Sequence, residues 1–517
     1  MQSQEELLAE IDTLKMQNKS LAEDIEKLQK LNEWYEQQLK LNRKKMYGQS
    51  SEHTDMDQLN LFNEAESERA PINSEPTIET ITYKRKKQKG HREKLLADLP
   101  VETIEYKLPE EEQMCPKCSG DLHVMNKEVR RELKIIPAQV KVVEHVSYVY
   151  ACRNCDKTDV ETPIITANSK KGLIPKSLVS PSIMAYIMHQ KFVNAMPLYR
   201  QEQEFKRMNV MLSRQTLANW MIKGADILKP FADELKKIML SKEVLHADET
   251  TLEVLCEPNR PAKSTSYMWL YQTSGCDKPI VIYDYQEGRS GSYAKAFLSG
   301  FKGYLHTDGW GGYHQLEPDI TLCGCWAHLR RKFDEALAVM KDKDPNSTAG
   351  IGLNYCNKLF EIEREIASNL PDQCHDIRQE KSKKITDEFF SWVEIQSTKS
   401  LPKSLVGTAL GYAINQKKYL LSFLKDGRIE LSNNRAERSI KPFVIGRKNW
   451  LFCNTPAGAK SSAIIYSIIE TAKQNYLKPF EYLTFLFDRL HEESENFDDI
   501  LPWSKTLPPE CMMKNNK

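Results

Sequence analysis

Apolar residues repeat at alternating steps of three and four from residue 5 to residue 45. Leu7, Leu14, Leu21, Leu28 and Tyr35 share one heptad position, and Ile11, Asn18, Ile25, Asn32 and Leu39 share the other. No Pro or Gly breaks the run. Leu at d with Ile or Asn at a is the pattern of a parallel two-stranded coiled coil, in which the asparagines set register and partner number. The pattern predicts a dimer or a larger assembly over residues 1–47. The pattern is then lost, and residues 53 to 82 are polar and acidic, which reads as a linker. Strand-like alternation returns at Val140, Val142, Val146, Tyr148 and Tyr150. From Pro175 to about Lys242 the period is helical, with one helix over Pro197 to Phe205 and another beginning after Ser213.

Beyond residue 243 the pattern is mixed. Apolar runs at Val244–Ala247, Tyr267–Tyr271 and Pro279–Tyr283 predict three strands, and a helix follows near Tyr293 to Phe301. Gly303–His306 is a fourth strand, Ile320–Cys323 a fifth, and a helix begins near Trp326. That order predicts a ribonuclease H-like mixed sheet. Residues 334 to 425 are helical and rich in Lys and Glu, which reads as an inserted helical subdomain. Ala463, Ile464, Ile465, Ile468, Ile469 and Ala472 form a core-facing helical stripe, and a second apolar helix covers Phe480 to Leu490. The tail after Pro508 reads as disordered.

At 517 residues the chain predicts several domains. They run 1–47 (coiled coil), 48–110 (linker with a basic cluster), 111–165 (zinc-binding), 166–242 (helical, helix-turn-helix-like), 243–333 (first part of the core), 334–425 (insertion), 426–490 (second part of the core) and 491–517 (tail). The fold class expected is multidomain α+β. Net charge is +1, so bulk charge does not point to a nucleic-acid partner and local charge must. No secretory signal or membrane-spanning run is read, which places the chain in the cytoplasm with no membrane partner. Its cysteines then read as metal ligands or buried thiols.

Four cysteines fall in two CxxC pairs, Cys115 with Cys118 and Cys152 with Cys155. Each pair can chelate through a tight knuckle, and four thiolates match one structural Zn²⁺ with no open position for substrate. The alternative is redox-active or merely buried cysteine. Lys84, Arg85, Lys86 and Lys87 open a basic cluster that suits phosphate contact or a solvated tail. Arg214 and Gln215 open the second helix of the hairpin and are the candidates for DNA contact there.

The chemistry centres on Gly427 to Phe452. Asn434 and Glu437 have the spacing of a capping box, in which Glu437 would only satisfy a backbone N–H. Upstream, Asp248 and Asp308 each end an apolar run. With Glu437 they make three carboxylates, which can hold two divalent ions for phosphoryl transfer. Arg435, Arg438, Lys441, Arg447 and Lys448 could grip phosphates or form a solvated basic face. Glu249 and Glu430 are rival carboxylates.

Met46-Tyr-Gly-Gln-Ser-Ser-Glu52, the CxxC pairs, His246-Ala-Asp-Glu-Thr250, His306-Thr-Asp-Gly-Trp310, Cys325-Trp-Ala-His328, Asn433-Asn-Arg-Ala-Glu-Arg438 and Gly446-Arg-Lys-Asn-Trp450 follow in order. In this the chain resembles transposases of the bacterial insertion-sequence family numbered sixty-six, whose core is of the Asp-Asp-Glu type. The family often has Asp just before the paired asparagines, where Ser432 stands here. The resemblance implies Asp248, Asp308 and Glu437 as catalytic residues holding two Mg²⁺ or Mn²⁺ ions, and the four cysteines as zinc ligands. It implies cleavage at the ends of an insertion sequence and joining of 3′-hydroxyl ends to target DNA. Small accessory proteins from the same element are further implied partners. A non-enzymatic zinc-containing DNA-binding regulator and a nuclease without strand transfer are the competing readings.

Overall fold

The computed structural model describes residues 139–151, 164–168, 171–340, 343–490 and 496–513, with helical residues 15–19, 21, 22, 25, 28, 29, 32, 35, 36 and 39. The chain divides into two compact units, Phe62–Val142 and the remainder. Of the smaller unit only residues 139–142 are described, and they are exposed and irregular. Lys84, Arg85, Lys86, Lys87 and all four CxxC cysteines lie outside the described residues. The helical positions Met16, Leu21, Ile25, Leu28, Tyr35 and Leu39 are all exposed apolar side chains in the single chain.

Strands β1 (Val149–Ala151) and β2 (Ile164–Thr166) form an antiparallel pair. Of the alternation read upstream only Tyr150 lies in a strand, β1, while residues 139–148 are irregular and almost all exposed.

Between residue 171 and the main sheet lie three helices, α1 (Pro181–Phe192), α2 (Leu198–Arg207) and α3 (Arg214–Leu240). Ser213 caps α3 by accepting the Thr216 N–H at 3.2 Å, as its place before the helical run predicts. The helix is 27 residues long rather than short. Leu217, Trp220, Met221, Leu228, Phe231, Leu235 and Met239 hold it to the core along that length, through an internal Pro230.

The five-stranded sheet is β3 (Val244–Glu253), β4 (Thr265–Thr273), β5 (Val281–Gln286), β6 (Gly303–His306) and β7 (Ile320–Cys323), in spatial order β5-β4-β3-β6-β7. Helix α4 (Gly291–Phe297) lies between β5 and β6 in the chain. β4 runs antiparallel to both β3 and β5, while β3, β6 and β7 are parallel. In the β3–β6 register His246 pairs with His306. Asp248 and Asp308 therefore both stand two residues beyond that pair, Asp248 within β3 and Asp308 just past the end of β6. The strand, helix and strand order agrees with the periodicity.

The outer edge of β5 is closed by helix α11 (Pro456–Gln474). Ser467 accepts the Tyr283 N–H at 2.8 Å, and Thr471 accepts the Val281 N–H at 3.0 Å and donates to the Val281 carbonyl at 3.1 Å. An edge strand is thus satisfied by side chains rather than by another strand.

Helices α5 (Trp326–Ala338), α6 (Thr348–Glu365), α8 (Lys383–Lys399) and α9 (Leu405–Leu420) carry a second apolar cluster around Trp326, Phe333, Phe389 and Leu410, while α7 (Pro371–Ile377) packs Cys374 against Ile362 and Ile366 of the α6 end. Its buried charge is matched: Arg378 donates to Glu363 through Nε at 2.8 Å and a terminal nitrogen at 2.6 Å.

Helix α10 (Asn434–Trp450) follows, then α11 and α12 (Pro479–Leu490). The segment after α12 is ordered where it is described, through Met513. Ile500, Leu501, Leu507 and Cys511 are buried, Tyr482 donates to the Ile500 carbonyl at 2.6 Å, and Met513 donates its N–H to Tyr476 at 2.8 Å. Over residues 509–513 the expected disorder is corrected by these contacts, whose apolar residues are spaced too widely to show as a period. Among the described residues no helix is long and apolar enough to cross a membrane.

Candidate functional site

The capping box expected at the start of α10 does not form. The cap is Asn433, and its side chain makes no capping bond. Its Oδ1 faces the His246 Nδ1 at 2.9 Å and its Nδ2 donates to the Ala247 carbonyl at 2.8 Å. Its backbone N–H reaches the Cys325 sulfur at 3.1 Å. The fully buried Asn433 is a pin between the start of α10 and β3, one residue before Asp248. Glu437 is thereby released from capping.

One open cleft of about 320 Å³ is lined by Asp248, Glu249, Thr250, Asp308, His328 and Glu437, with Ile440, Lys441 and Val444 along α10. The three carboxylates predicted from the sequence thus come together from β3, from the turn after β6 and from the first turn of α10.

Asp248 Oδ1 accepts the Glu249 N–H at 2.9 Å. Burial, with Glu249 and Asp308 adding negative charge, pushes the Asp248 carboxyl well above the usual range. Asp308 Oδ1 accepts the Trp310 N–H at 2.9 Å, and Oδ2 lies 4.0 Å from Arg289. The turn needs Gly309, whose φ is +90° and whose missing Cβ would press on Gln416 and the Tyr412 hydroxyl at 3.1 Å. That hydroxyl donates to the Asp308 carbonyl at 3.1 Å. Glu437 Oε2 accepts from Arg331 at 3.1 Å. Its Oε1 is 3.6 Å from His328 Nδ1, and both atoms are buried without a hydrogen-bond partner. Burial keeps the His328 imidazole below its ordinary pKa.

Both rival carboxylates are taken up by other partners, Glu249 at the cleft wall and Glu430 outside it. Glu249 accepts from Arg289 Nε at 2.7 Å and from the Tyr313 hydroxyl at 2.6 Å, with its side chain 1% exposed. Burial, reinforced by Asp308, still raises its pKa against the pull of Tyr313 and Arg289. Arg289 in turn lies over the Trp310 ring at 4.5 Å. Glu430 does not line the cleft. It accepts from Arg435 at 2.7 Å and from the Gly275 N–H at 3.0 Å. Burial would push its carboxyl up, but His246, Arg435 and the Gly275 N–H outweigh that and hold it low.

Behind the aspartates, His246 and His306 stack with ring centroids 5.1 Å apart, and both are fully buried. His306 Nε2 faces the Glu430 carbonyl at 3.0 Å. Burial depresses both imidazoles, His306 to about 3.

The cationic residues named from the sequence divide. Lys441 lines the cleft. Arg447 donates to the Thr250 and Thr251 hydroxyls at 3.3 and 3.0 Å, at the same rim. Arg438 and Lys448 are exposed on α10, while Arg435 is taken up by Glu430. Arg214 and Gln215 are exposed at the start of α3 and do not line the cleft, and Arg214 pairs with Glu202 at 3.3 Å.

Sequence reasoning gave no role to His328, Arg331, Arg289, Asn433 or the histidine pair. For His328 and Arg331 a signal existed: three positions apart in a helix, they share one face.

The donor set fits divalent ions. Oxygen ligands on several elements suit Mg²⁺ or Mn²⁺, and positive charge would offset the burial and the neighbouring carboxylates that raise Asp248. The Cys325 thiol is a poor ligand, since burial pushes it up to about 11.

Comparison with known proteins adds the family. Residues 176–461 match the family described as Transposase IS66 family. Residues 112–156 match the zinc-finger binding domain of transposase IS66, 34–104 match "Transposase C of IS166 homeodomain", and 467–503 match the IS66 C-terminal element. Among curated relatives, the uncharacterized protein y4qI of Sinorhizobium fredii is 30% identical over 404 residues, covering 75% of this chain and 73% of its own. The uncharacterized protein y4hP of the same organism is 29% identical over 410 residues, with the same coverage.

Proposed function

The chain belongs to the IS66 transposase family, and from that premise we propose that it cuts the ends of an insertion sequence and joins the 3′-hydroxyl ends to target DNA. The observation that carries this reading is the cleft that gathers Asp248, Asp308 and Glu437 from three separate elements. The order β5-β4-β3-β6-β7, in which only β4 runs antiparallel to the other strands, supports a ribonuclease H-like core with Asp248 on β3 and Asp308 just past the adjacent parallel β6.

Asp248, Asp308 and Glu437 would hold two divalent ions, whose chemistry would be to acidify an attacking water or 3′-hydroxyl and to stabilise the leaving oxygen of an in-line displacement. The chain's own part is positioning. Asn433 fixes α10 against β3, Tyr412 and Gly309 fix the Asp308 turn, and Arg289 holds Glu249 aside. Lys441 and Arg447 at the rim, with Arg438 and Lys448 along α10, contact phosphates near the cut. Arg435 is better read as a structural partner of Glu430. Arg214, Gln215 and the Lys84 to Lys87 cluster bind DNA away from the chemistry. Cys115, Cys118, Cys152 and Cys155 hold one structural zinc. The apolar stripe of Leu21, Ile25, Leu28 and Leu39, exposed in one chain, supports a coiled-coil dimer.

A pure DNA-binding regulator would leave Asp248 crowded among carboxylates without use, whereas such perturbed groups cluster at functional sites. The test is an assay with labelled element-end DNA, with and without Mg²⁺, on wild type and Glu437→Gln. Metal-dependent joining by wild type, with DNA bound but not joined by the variant, is expected. Cutting without joining would shift the reading to a nuclease. Binding with no cutting, even with accessory proteins supplied, would leave a regulator.

A further inference from the structure

We propose that His328 is a ligand of the divalent ion held by Glu437, so that this ion has mixed oxygen and nitrogen coordination. The inference rests on the metal-dependent reading above and adds a residue to it.

The argument starts from how α5 presents itself to α10. His328 and Arg331 lie on one face of α5, and both meet the first turn of α10. Arg331 takes one oxygen of Glu437, Oε2, at 3.1 Å. The other oxygen, Oε1, is left toward His328 Nδ1 at 3.6 Å. That separation is too long for a hydrogen bond. Both atoms are buried, and neither has a hydrogen-bond partner. A buried acceptor facing a buried ring nitrogen with nothing shared between them is costly. Donors bound to one ion at about 2.1 Å and at right angles stand about 3 Å apart, so a small closure would seat a cation between them. His328 lines the same cleft as Asp248 and Asp308, so the ion would be within the carboxylate cluster rather than beside it.

Cys325, the N-cap residue of α5, completes a Cys–His–Glu group within 4.8 Å. It does not serve as a ligand: the sulfur is fully buried and already accepts the Asn433 N–H. The site is therefore not a thiolate zinc site. An imidazole ligand favours Mn²⁺ over Mg²⁺ relative to an all-oxygen site.

The experiment is pulsed electron paramagnetic resonance of Mn²⁺ bound to the full chain with element-end DNA, for wild type and His328→Gln. A ¹⁴N coupling of imidazole type in wild type, lost in His328→Gln, is expected. Mn²⁺ affinity should fall on the order of 10- to 100-fold in the variant, the size seen even for groups that only support a ligand. His328→Asp, which restores an oxygen donor, should recover Mg²⁺ binding but lose the preference for Mn²⁺. Bound Mn²⁺ without ¹⁴N coupling in wild type, or coupling unchanged in His328→Gln, overturns the proposal and leaves the carboxylate reading intact. No Mn²⁺ bound by wild type overturns both.

Discussion

Two polar clusters share strands β3 and β6, and they differ in how their charges are met. The cleft holds Asp248, Asp308 and Glu437, with Asp248 raised by burial and by its neighbours. The cluster behind it holds His246, His306, Glu430, Asn433 and Arg435, where Glu430 is paired and both imidazoles are held neutral. In the cleft Asp248 has no ion-pair partner among the described residues, whereas in the other cluster Glu430 is paired with Arg435 and the two histidines are held by Asn433 and the Glu430 carbonyl. The difference separates a place built to receive something from a place built to hold something still.

That contrast can be broken most sharply at Asp248. Asp248→Asn should reduce cleavage at least ~10³-fold, since residues that act as a unit fail together. It should also raise the melting temperature at neutral pH without added divalent ion. The sign follows from linkage. A carboxyl whose folded pKa is raised binds its proton more tightly when folded, so its stabilising effect is full below the unfolded value, about 3.9, and is lost as pH rises through the folded value. Melts across pH 5 to 8 should show a flatter fall for Asp248→Asn than for wild type.

Asn433→Ala strikes the joint between the clusters. It leaves the Ala247 carbonyl and His246 Nδ1 unpartnered, which should destabilise the fold by about 2–3 kcal/mol. Cleavage should fall about 100-fold through misplacement of Glu437. Chemical denaturation and single-turnover cleavage measure the two effects separately.

Glu430→Gln should cost about 1–2 kcal/mol, by weakening a charge-assisted pair, yet keep cleavage within about tenfold of wild type. Loss of cleavage to background would make Glu430 the third carboxylate. The cluster behind the cleft also has the opposite pH signature. Imidazoles held neutral when folded take up protons when unfolded, so their contribution is present above about 6.5 and is lost as pH falls, toward about 3 for His306. His306→Gln should flatten acid unfolding over that window.

The smallest effect is expected at the rim. Lys448→Ala should leave the fold unchanged and lower the salt dependence of DNA binding by about one counterion. Binding isotherms at several salt concentrations would read it.

The strand order and the meeting of three carboxylates were legible in the sequence, because apolar runs ending in Asp carry both the strand and its chemistry. The α11 stripe was legible for the same reason, through its period. What stayed hidden depends on contacts far apart in the chain. Asn433 reads as a helix-start residue, and only the β3 backbone facing it shows that it is a pin. Arg435 reads like its basic neighbours, and only Glu430 and the Gly275 loop show its structural use. Ile500, Leu507 and Cys511 are too widely spaced to announce that the C-terminal segment packs back onto the fold.

The central claim is that Asp248, Asp308 and Glu437 act as one metal-dependent site. Single-turnover cleavage of element-end DNA tests it most directly, with Asp248→Asn, Asp308→Asn, Glu437→Gln and their pairwise combinations, over a Mg²⁺ titration. The account predicts that each single change lowers cleavage at least ~10³-fold and that the double changes add little further. A single variant that retains cleavage within about tenfold of wild type at saturating Mg²⁺ would contradict it.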